Sequence, residues 1–166
     1  MEFKLRPHTL EDADQIAIYA NNKGISDNMQ DGFPYPYKKE DALGFIEMVM
    51  KNEPRNILCI EVDGKPAGGI GIHPGQDIFR KNAELGYWLA EPYWGNGIIP
   101  KAIEEMTKYA FNNFEVDRIF ARPFGRNKAS QRVLEKAGFT FEAKIPRSVY
   151  KNEVFEDEWI YGIWRA

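Results

Sequence analysis

The stretch YWGNGIIPKAI, residues 93 to 103, carries the clearest chemical signal in the chain. Gly95 and Gly97 flank Asn96, and Pro100 follows at what reads as a helix start. A helix start has four backbone N–H groups without intrahelical partners and a positive partial charge. Pro100 suits the first turn, where its missing N–H does no harm. The two glycines permit unusual backbone angles and let a ligand approach without meeting a Cβ. Together these features form an anion seat, and phosphate is the usual occupant of such a seat. The bland alternative is a plain strand-to-helix turn, because short glycine patterns match often by accident. Two phosphate motifs are excluded. G-x-x-x-x-G-K-[ST] is absent, and Lys101 stands where a dinucleotide fingerprint would need its third glycine.

Other reactive side chains are few. Cys59 is the only cysteine, so no internal disulfide can form, and its apolar strand context reads as a small core residue. A covalent thiol mechanism would want a partnered histidine. His8 and His73 read as loop or cap residues. Two histidines with one cysteine lack zinc spacing, so no metal is expected.

These groups must be positioned by ordinary elements. Residues 2 to 7 can form an opening strand. Thr9 and Asp12 form a capping-box pattern, and Leu10, Ala13, Ile16, Ala17 and Ala20 follow helical spacing up to a stop at Gly24. Residues 25 to 37 end in the aromatic loop DGFPYPY, which its prolines keep out of helix. A second helix carries Ala42, Phe45, Ile46 and Val49 on one face. ILCIEVDGKPAGGIGI reads as two strands about an Asp63-Gly64 turn, and AELGYWLA as a third after a polar loop at 74 to 81. A helix over 100 to 113 turns Ile103, Met106, Thr107 and Ala110 inward. RIFARP is a strand, Asn127 can cap a helix with Val133, Leu134 and Ala137 inside, and Gly138 ends it. Two final strands, 140 to 150 and 154 to 165, meet at KNE. The order is β-α-α-β-β-β-α-β-α-β-β. The helix over 100 to 113 joins its strands by a parallel crossover, whereas the strands before it read as an antiparallel meander. The predicted fold is a mixed sheet with helices on both faces.

The totals agree with one domain over 1–166. Of the 166 residues, 43% are apolar and 28% charged, ordinary for a soluble globular chain. Net charge is -3, which lacks the basic footprint of a nucleic-acid binder and is compatible with a cationic amine substrate. MEFKLRPHTL has no apolar core of a signal peptide, and no run approaches the length of a membrane span, so a cytoplasmic protein with no membrane partner is expected.

ELGYWLAEPYWGNGIIPKAI, followed some thirty residues later by NKASQRVLEKAGF, resembles the GNAT N-acetyltransferase superfamily, and most closely its branch of ribosomal-protein N-terminal acetyltransferases. The resemblance runs from LRPHTLEDADQI to DEWIYGIWR. It implies a twisted mixed sheet of about seven strands and an acetyl-CoA-dependent N-acetyltransferase working by direct transfer. The implied acceptor is a primary amine on a peptide N-terminus or, alternatively, on a small molecule such as a polyamine or aminoglycoside. A non-catalytic acyl-CoA-binding module is the rival from another class. A homodimer is left open.

The resemblance also implies site residues. Gly95, Asn96, Gly97, Ile98, Ile99 and Pro100 would wrap the pyrophosphate of coenzyme A, with Ile99 standing where the family commonly has glycine or alanine. Tyr87, Trp88 and Leu89 would pair with the pantetheine as a short extra strand, and Asn127 lies near the thioester. Glu84 matches a carboxylate used as a base through water, although strand alternation could equally put it on a solvated face. The tyrosine that protonates the thiolate in many members is Leu134 here. Ser130 is the substitute that the ribosomal-protein branch suggests, or it is a helix first-turn serine bonding backbone amides. That branch's glutamate near the last hairpin is Val149. Phe33, Tyr35 and Tyr150 could line the acceptor pocket.

Overall fold

Strand alternation decides which residues face each helical layer. In the computed structural model, which describes residues 1–166, seven strands make one sheet: β1 (Phe3–Arg6), β2 (Ile57–Val62), β3 (Lys65–Pro74), β4 (Asn82–Leu89), β5 (Arg118–Ala121), β6 (Thr140–Lys151) and β7 (Val154–Trp164). Their spatial order is β1-β2-β3-β4-β5-β7-β6. Only β4 and β5 run parallel; every other neighbouring pair is antiparallel. The helices are α1 (Ala13–Ala20), α2 (Lys23–Ser26), α3 (Lys39–Met50), α4 (Ile98–Asn113) and α5 (Lys128–Lys136). None is long and apolar enough to cross a membrane.

Two cores result. On one face, Ala102, Ile103, Met106 and Ala110 of α4 and Leu134 of α5 pack on Ile70, Ile72, Ala83 and Leu85 of the sheet. Fully burying a side chain such as Ile103 contributes about 1.5–3 kcal/mol. On the other, Ala13, Ile16 and Ala20 of α1 meet Ala42 and Ile46 of α3, with Trp88 of β4 against them. Odd-numbered β4 residues therefore face α4 and α5, and even-numbered ones face α1 and α3.

Several local expectations are corrected. Gly24 does not stop the first helix. That helix ends at Ala20, and Gly24 lies inside α2, where the Asn22 side chain accepts a bond from Gly24 N–H at 2.8 Å. The segment over 25 to 37 thus begins helical. Leu10 sits exposed in a 3-10 turn, so it does not belong to the buried stripe. α4 starts at Ile98, two residues early, and Pro100 is its third residue, still within the turn that needs no N–H. His73 is a β3 strand residue, and His8 is only 3% exposed. Only His73 departs from the loop or cap reading; His8 lies in the loop between β1 and the 3-10 turn, although buried.

His8, Asp12 and Cys59 come together behind the α1–α3 layer, their ligand-type atoms all within 4.8 Å of one another. Both Asp12 oxygens are engaged by the Arg6 guanidinium, at 2.8 and 2.9 Å. Both His8 nitrogens lack a hydrogen-bond partner.

Candidate active site

The site grows from the one parallel pairing. β4 pairs with β3 as far as Leu89, but with β5 only through Asn82–Arg118, Ala83–Ile119 and Glu84–Phe120. Beyond Glu84 the strands part. A cause is visible in the sequence: β5 ends at Ala121, and Pro123 has no N–H with which to continue a ladder. Gly86, Tyr87, Trp88 and Leu89 therefore present a strand edge to a fork that has no protein strand on its other side.

The glycine turn lies just past this edge. Gly95 and Gly97 have φ of 76° and 73°, left-handed values that favour glycine. A Cβ built on either would meet nothing within 4 Å, so the space before the turn is open. Ile98 is buried in the core and Ile99 packs against it. Ile99 thus turns away from the approach that a glycine or alanine would otherwise keep clear. Gly95, Asn96 and Gly97 are left exposed in front of the α4 N-terminus. An open, glycine-flanked turn before the positive end of a helix, at the end of an unpaired strand edge, fits a pyrophosphate on a pantetheine arm.

Two side-chain contacts bridge the fork, one on each face. On the α1–α3 face, Glu84 forms an ion pair with the Arg122 guanidinium at 2.9 Å, and Arg122 Nε lies 3.5 Å from Glu158 on β7. Glu158 is 8% exposed, so one guanidinium serves two carboxylates and the trio keeps one negative charge. His73 stands directly opposite Glu84 on β3. On the α4–α5 face, the Tyr87 hydroxyl meets Ser130 Oγ at 2.5 Å. Burial pushes the Tyr87 phenol up to about 12, with the Ser130 bond pulling the other way. Asn127 caps α5, its side-chain oxygen accepting from Ser130 N–H at 3.2 Å.

The α1–α3 side of the fork carries a cluster of aromatics and polar ties. Phe33 packs on Trp88 with ring centroids 5.8 Å apart, and on Tyr37 at 5.1 Å. Tyr35 is 53% exposed. Tyr150 is 59% exposed and lies against Phe155 across the last hairpin. Lys151 pairs with Asp31 at 3.0 Å, and Asn152 donates to Asp27 at 3.0 Å. Arg126 reaches Asn28 Oδ1 at 2.7 Å and the Asp27 carbonyl at 2.6 Å. The α2 segment is thereby fastened to the β6–β7 hairpin. Leu134 is buried in the core, and Val149 has Glu156 directly opposite it on β7, 3.2 Å from Arg126.

Arg122, Glu158, Glu156 and the Tyr87 hydroxyl were not singled out for these contacts by the sequence. Their partners lie between 30 and 43 residues away, as with Arg126 and Glu156 at one end of that range and Tyr87 and Ser130 at the other. Two signals were available: Pro123 ending a strand that must pair with β4, and an acid inside the otherwise aromatic run EWIYGIW.

A parallel crossover by α4, a fork between the two strands it joins, and a glycine turn at the fork define an acetyl-CoA-type acyltransferase fold. Residues 2–140 match the family model described as an acetyltransferase (GNAT) domain, and the chain belongs to that family. It is 30% identical over 166 residues to YkkB of Bacillus subtilis (strain 168), covering 92% of this chain and 94% of that one. It is 35% identical to YdaF of the same organism over 101 residues, which is 61% of this chain and 55% of YdaF. The matched stretch thus spans about half the length of YdaF. Among solved structures it is similar to the microcin C7 self-immunity acetyltransferase MccE in complex with acetyl-CoA and AMP, at a TM-score of 0.83 and 26% identity over 99% of this chain and 93% of that one.

Proposed function

We propose that this chain is an acetyl-CoA-dependent N-acetyltransferase acting by direct transfer in a ternary complex, and that its acceptor is the free α-amine of a peptide or protein N-terminus. The observation that carries the reading is the fork, where the unpaired edge Gly86–Leu89 leads straight to the open Gly95–Gly97 turn. The residues fit the cosubstrate: Tyr87, Trp88 and Leu89 offer backbone groups to the pantetheine, and Gly95 through Pro100 offer amides to the pyrophosphate. When bound, acetyl-CoA supplies an activated thioester. The chain's own residues do the rest. Glu84 takes the amine proton through water, and the Ser130 hydroxyl meets the sulfur. Phe33 and Trp88 wall the acceptor side, and the negative trio around Arg122 favours a cation there.

The choice of an α-amine rests on proton chemistry. An α-amine titrates near 8 and a lysine near 10.4, so at pH 7 the α-amine is roughly a few hundred-fold richer in the neutral form. That is about 3 kcal/mol of deprotonation that the enzyme need not supply. The acid–base set is spare: Leu134 lies in the core, Val149 carries no acid, and Glu84 spends one oxygen on Arg122. Such a set suits the easier amine. Escherichia coli (strain K12) ribosomal-protein-serine acetyltransferase, 30% identical over 83 residues and half of this chain, points the same way.

The test is CoA release at pH 7 with four acceptors: free-N-terminus peptides, N-blocked lysine peptides, a polyamine and an aminoglycoside. The highest kcat/KM is expected for free N-termini. A faster blocked-lysine peptide or small amine would overturn the acceptor assignment. No CoA release with any acceptor in the panel would leave the binding-module reading standing in its place.

A further inference from the structure

We propose that the Tyr87 hydroxyl is a positioning group for the leaving sulfur: it donates to Ser130 Oγ and so leaves the Ser130 hydrogen free to point into the fork. The inference rests on the acetyltransferase reading above and deepens it. It assigns a role to the side chain of a residue whose backbone alone is invoked for cofactor binding.

The geometry separates the two readings of Ser130. A serine in a helix first turn usually bonds its own backbone. Here the cap is already supplied by Asn127, whose side chain takes the Ser130 N–H. The Ser130 hydroxyl instead meets a phenol that comes from β4, 43 residues earlier, at 2.5 Å. The contact spans the gap that opens after Glu84, on the face opposite the Glu84–Arg122 pair. It therefore floors the slot along which the Tyr87–Leu89 edge runs.

Direction matters. Either oxygen can donate in a hydroxyl pair, but a phenol is far more acidic than an aliphatic alcohol and is the stronger donor. With Tyr87 donating, Ser130 accepts through oxygen and its own hydrogen must find another acceptor. Donation into Ser130 also polarises that hydrogen, the cooperative strengthening expected of a hydroxyl chain. A thiolate left by transfer is such an acceptor.

The pair acts by hydrogen bonding, and no proton needs to leave Tyr87. A phenol pushed up to about 12 lies well above a thiol, which titrates near ~8.5. Equilibrium thus keeps the proton on the phenol oxygen. The contribution is stabilisation of the sulfur charge as the C–S bond breaks, while the amine proton goes to Glu84 as the C–N bond forms. Leu134, where many relatives carry a tyrosine on the helix, is fully buried in the core and cannot do this. The phenol has come from the strand.

The test is the thiol pKa of CoA bound to the full-length protein, read from thiolate ultraviolet absorbance during a pH titration. Calorimetry first establishes that CoA binds; no binding would sink the acetyltransferase reading itself. The wild-type complex is expected to hold the thiol below that of free CoA. Tyr87→Phe and Ser130→Ala should each raise it toward the free value. Their double variant should go no further than Ser130→Ala alone, because the phenol works only through the serine. Tyr87→Phe should lower kcat by about three- to tenfold, with the KM for acetyl-CoA unchanged. Tyr87→Phe keeps the ring, and its melting temperature checks the fold. Should that variant prove poorly folded, Ser130→Thr supplies the second measurement: retaining the hydroxyl, it should keep the lowered thiol value that Ser130→Ala loses. A Tyr87→Phe complex titrating like wild type while Ser130→Ala shifts would overturn the role of Tyr87 and leave Ser130 in place. No shift in either would overturn both.

Discussion

Glu84 occupies the meeting point of two sequence readings, a base near the thioester and a solvated strand residue. It is partly exposed, it faces the α1–α3 side, and Arg122 holds one of its oxygens at 2.9 Å. As a base it has one oxygen left for water. Glu84→Gln is therefore expected to lower kcat more than acetyl-CoA affinity, and the loss should shrink as pH rises and the amine deprotonates itself. A variant matching wild type across the pH profile would return Glu84 to a purely structural pairing with Arg122. Alternation along NAELGYW left the face of Glu84 open, a base or a solvated residue, and only its place on the strand was legible. Arg122 and Glu158 were not, because their approach depends on β5 lying between β4 and β7. His73 was misjudged for a different reason. Next to Pro74 it resembles a loop residue, but β3 continues through it to pair opposite Glu84.

At the scale of elements, the α4 start is the best-specified feature. The stripe Ala102, Ile103, Met106, Ala110 is written at helical spacing, and Gly95 and Gly97 take the left-handed angles that the sequence suggested. Gly97→Val would force a branched residue into that angle and into the open space before the helix. Acetyl-CoA binding should weaken more than tenfold, or over about 1.4 kcal/mol. Unchanged affinity by calorimetry in a folded variant would remove the anion-seat argument. The short α2 was not legible, because Gly24 looks like a stop, and its helix rests on the Asn22 cap and on contacts from afar. Those contacts make a second prediction. Arg126→Ala removes the hold of the β5–α5 loop on Asp27 and Asn28 while Lys151–Asp31 and Asn152–Asp27 remain, so the KM for the acceptor should rise several-fold with that for acetyl-CoA unchanged. Equal changes in both would mean that the tie supports the whole fork and not the acceptor wall.

For the whole molecule, the order of elements was enough to give a mixed sheet covered on both faces, because an α4-length connection between parallel strands leaves few topologies. The internal chemistry of the second core was not. His8 packs edge-on against Phe45, with centroids 5.5 Å apart, and has no polar partner. Burial lowers it from 6.5 to about 4, with Asp12 raising it and Arg6 lowering it further. Its neighbour Cys59 is pushed up to about 12 by burial and stays a neutral thiol. Burial also works against the Asp12 carboxylate, but the Arg6 bonds and the Thr9 N–H hold it below its usual range. The folded state therefore binds fewer protons at His8 than the unfolded chain does. The stability this represents is full above pH 6.5, declines as pH falls, and is lost below about 4. The loss is about 3 kcal/mol over that window. His8→Phe should flatten the melting-temperature curve between those limits and leave the steeper acid limb, where Asp12 protonates, in place. An unchanged curve would mean that His8 protonates without cost. The parallel pairing of β4 with β5 has a further consequence for motion. Three residue pairs are a short seam for joining a seven-stranded sheet, four strands on one flank and three on the other. The backbone joins the two flanks like a book whose binding runs only part of the spine. Amide hydrogens of Gly86 to Leu89 that point into the fork should exchange quickly in the free protein and slow when CoA occupies it, whereas those of β3 should barely change.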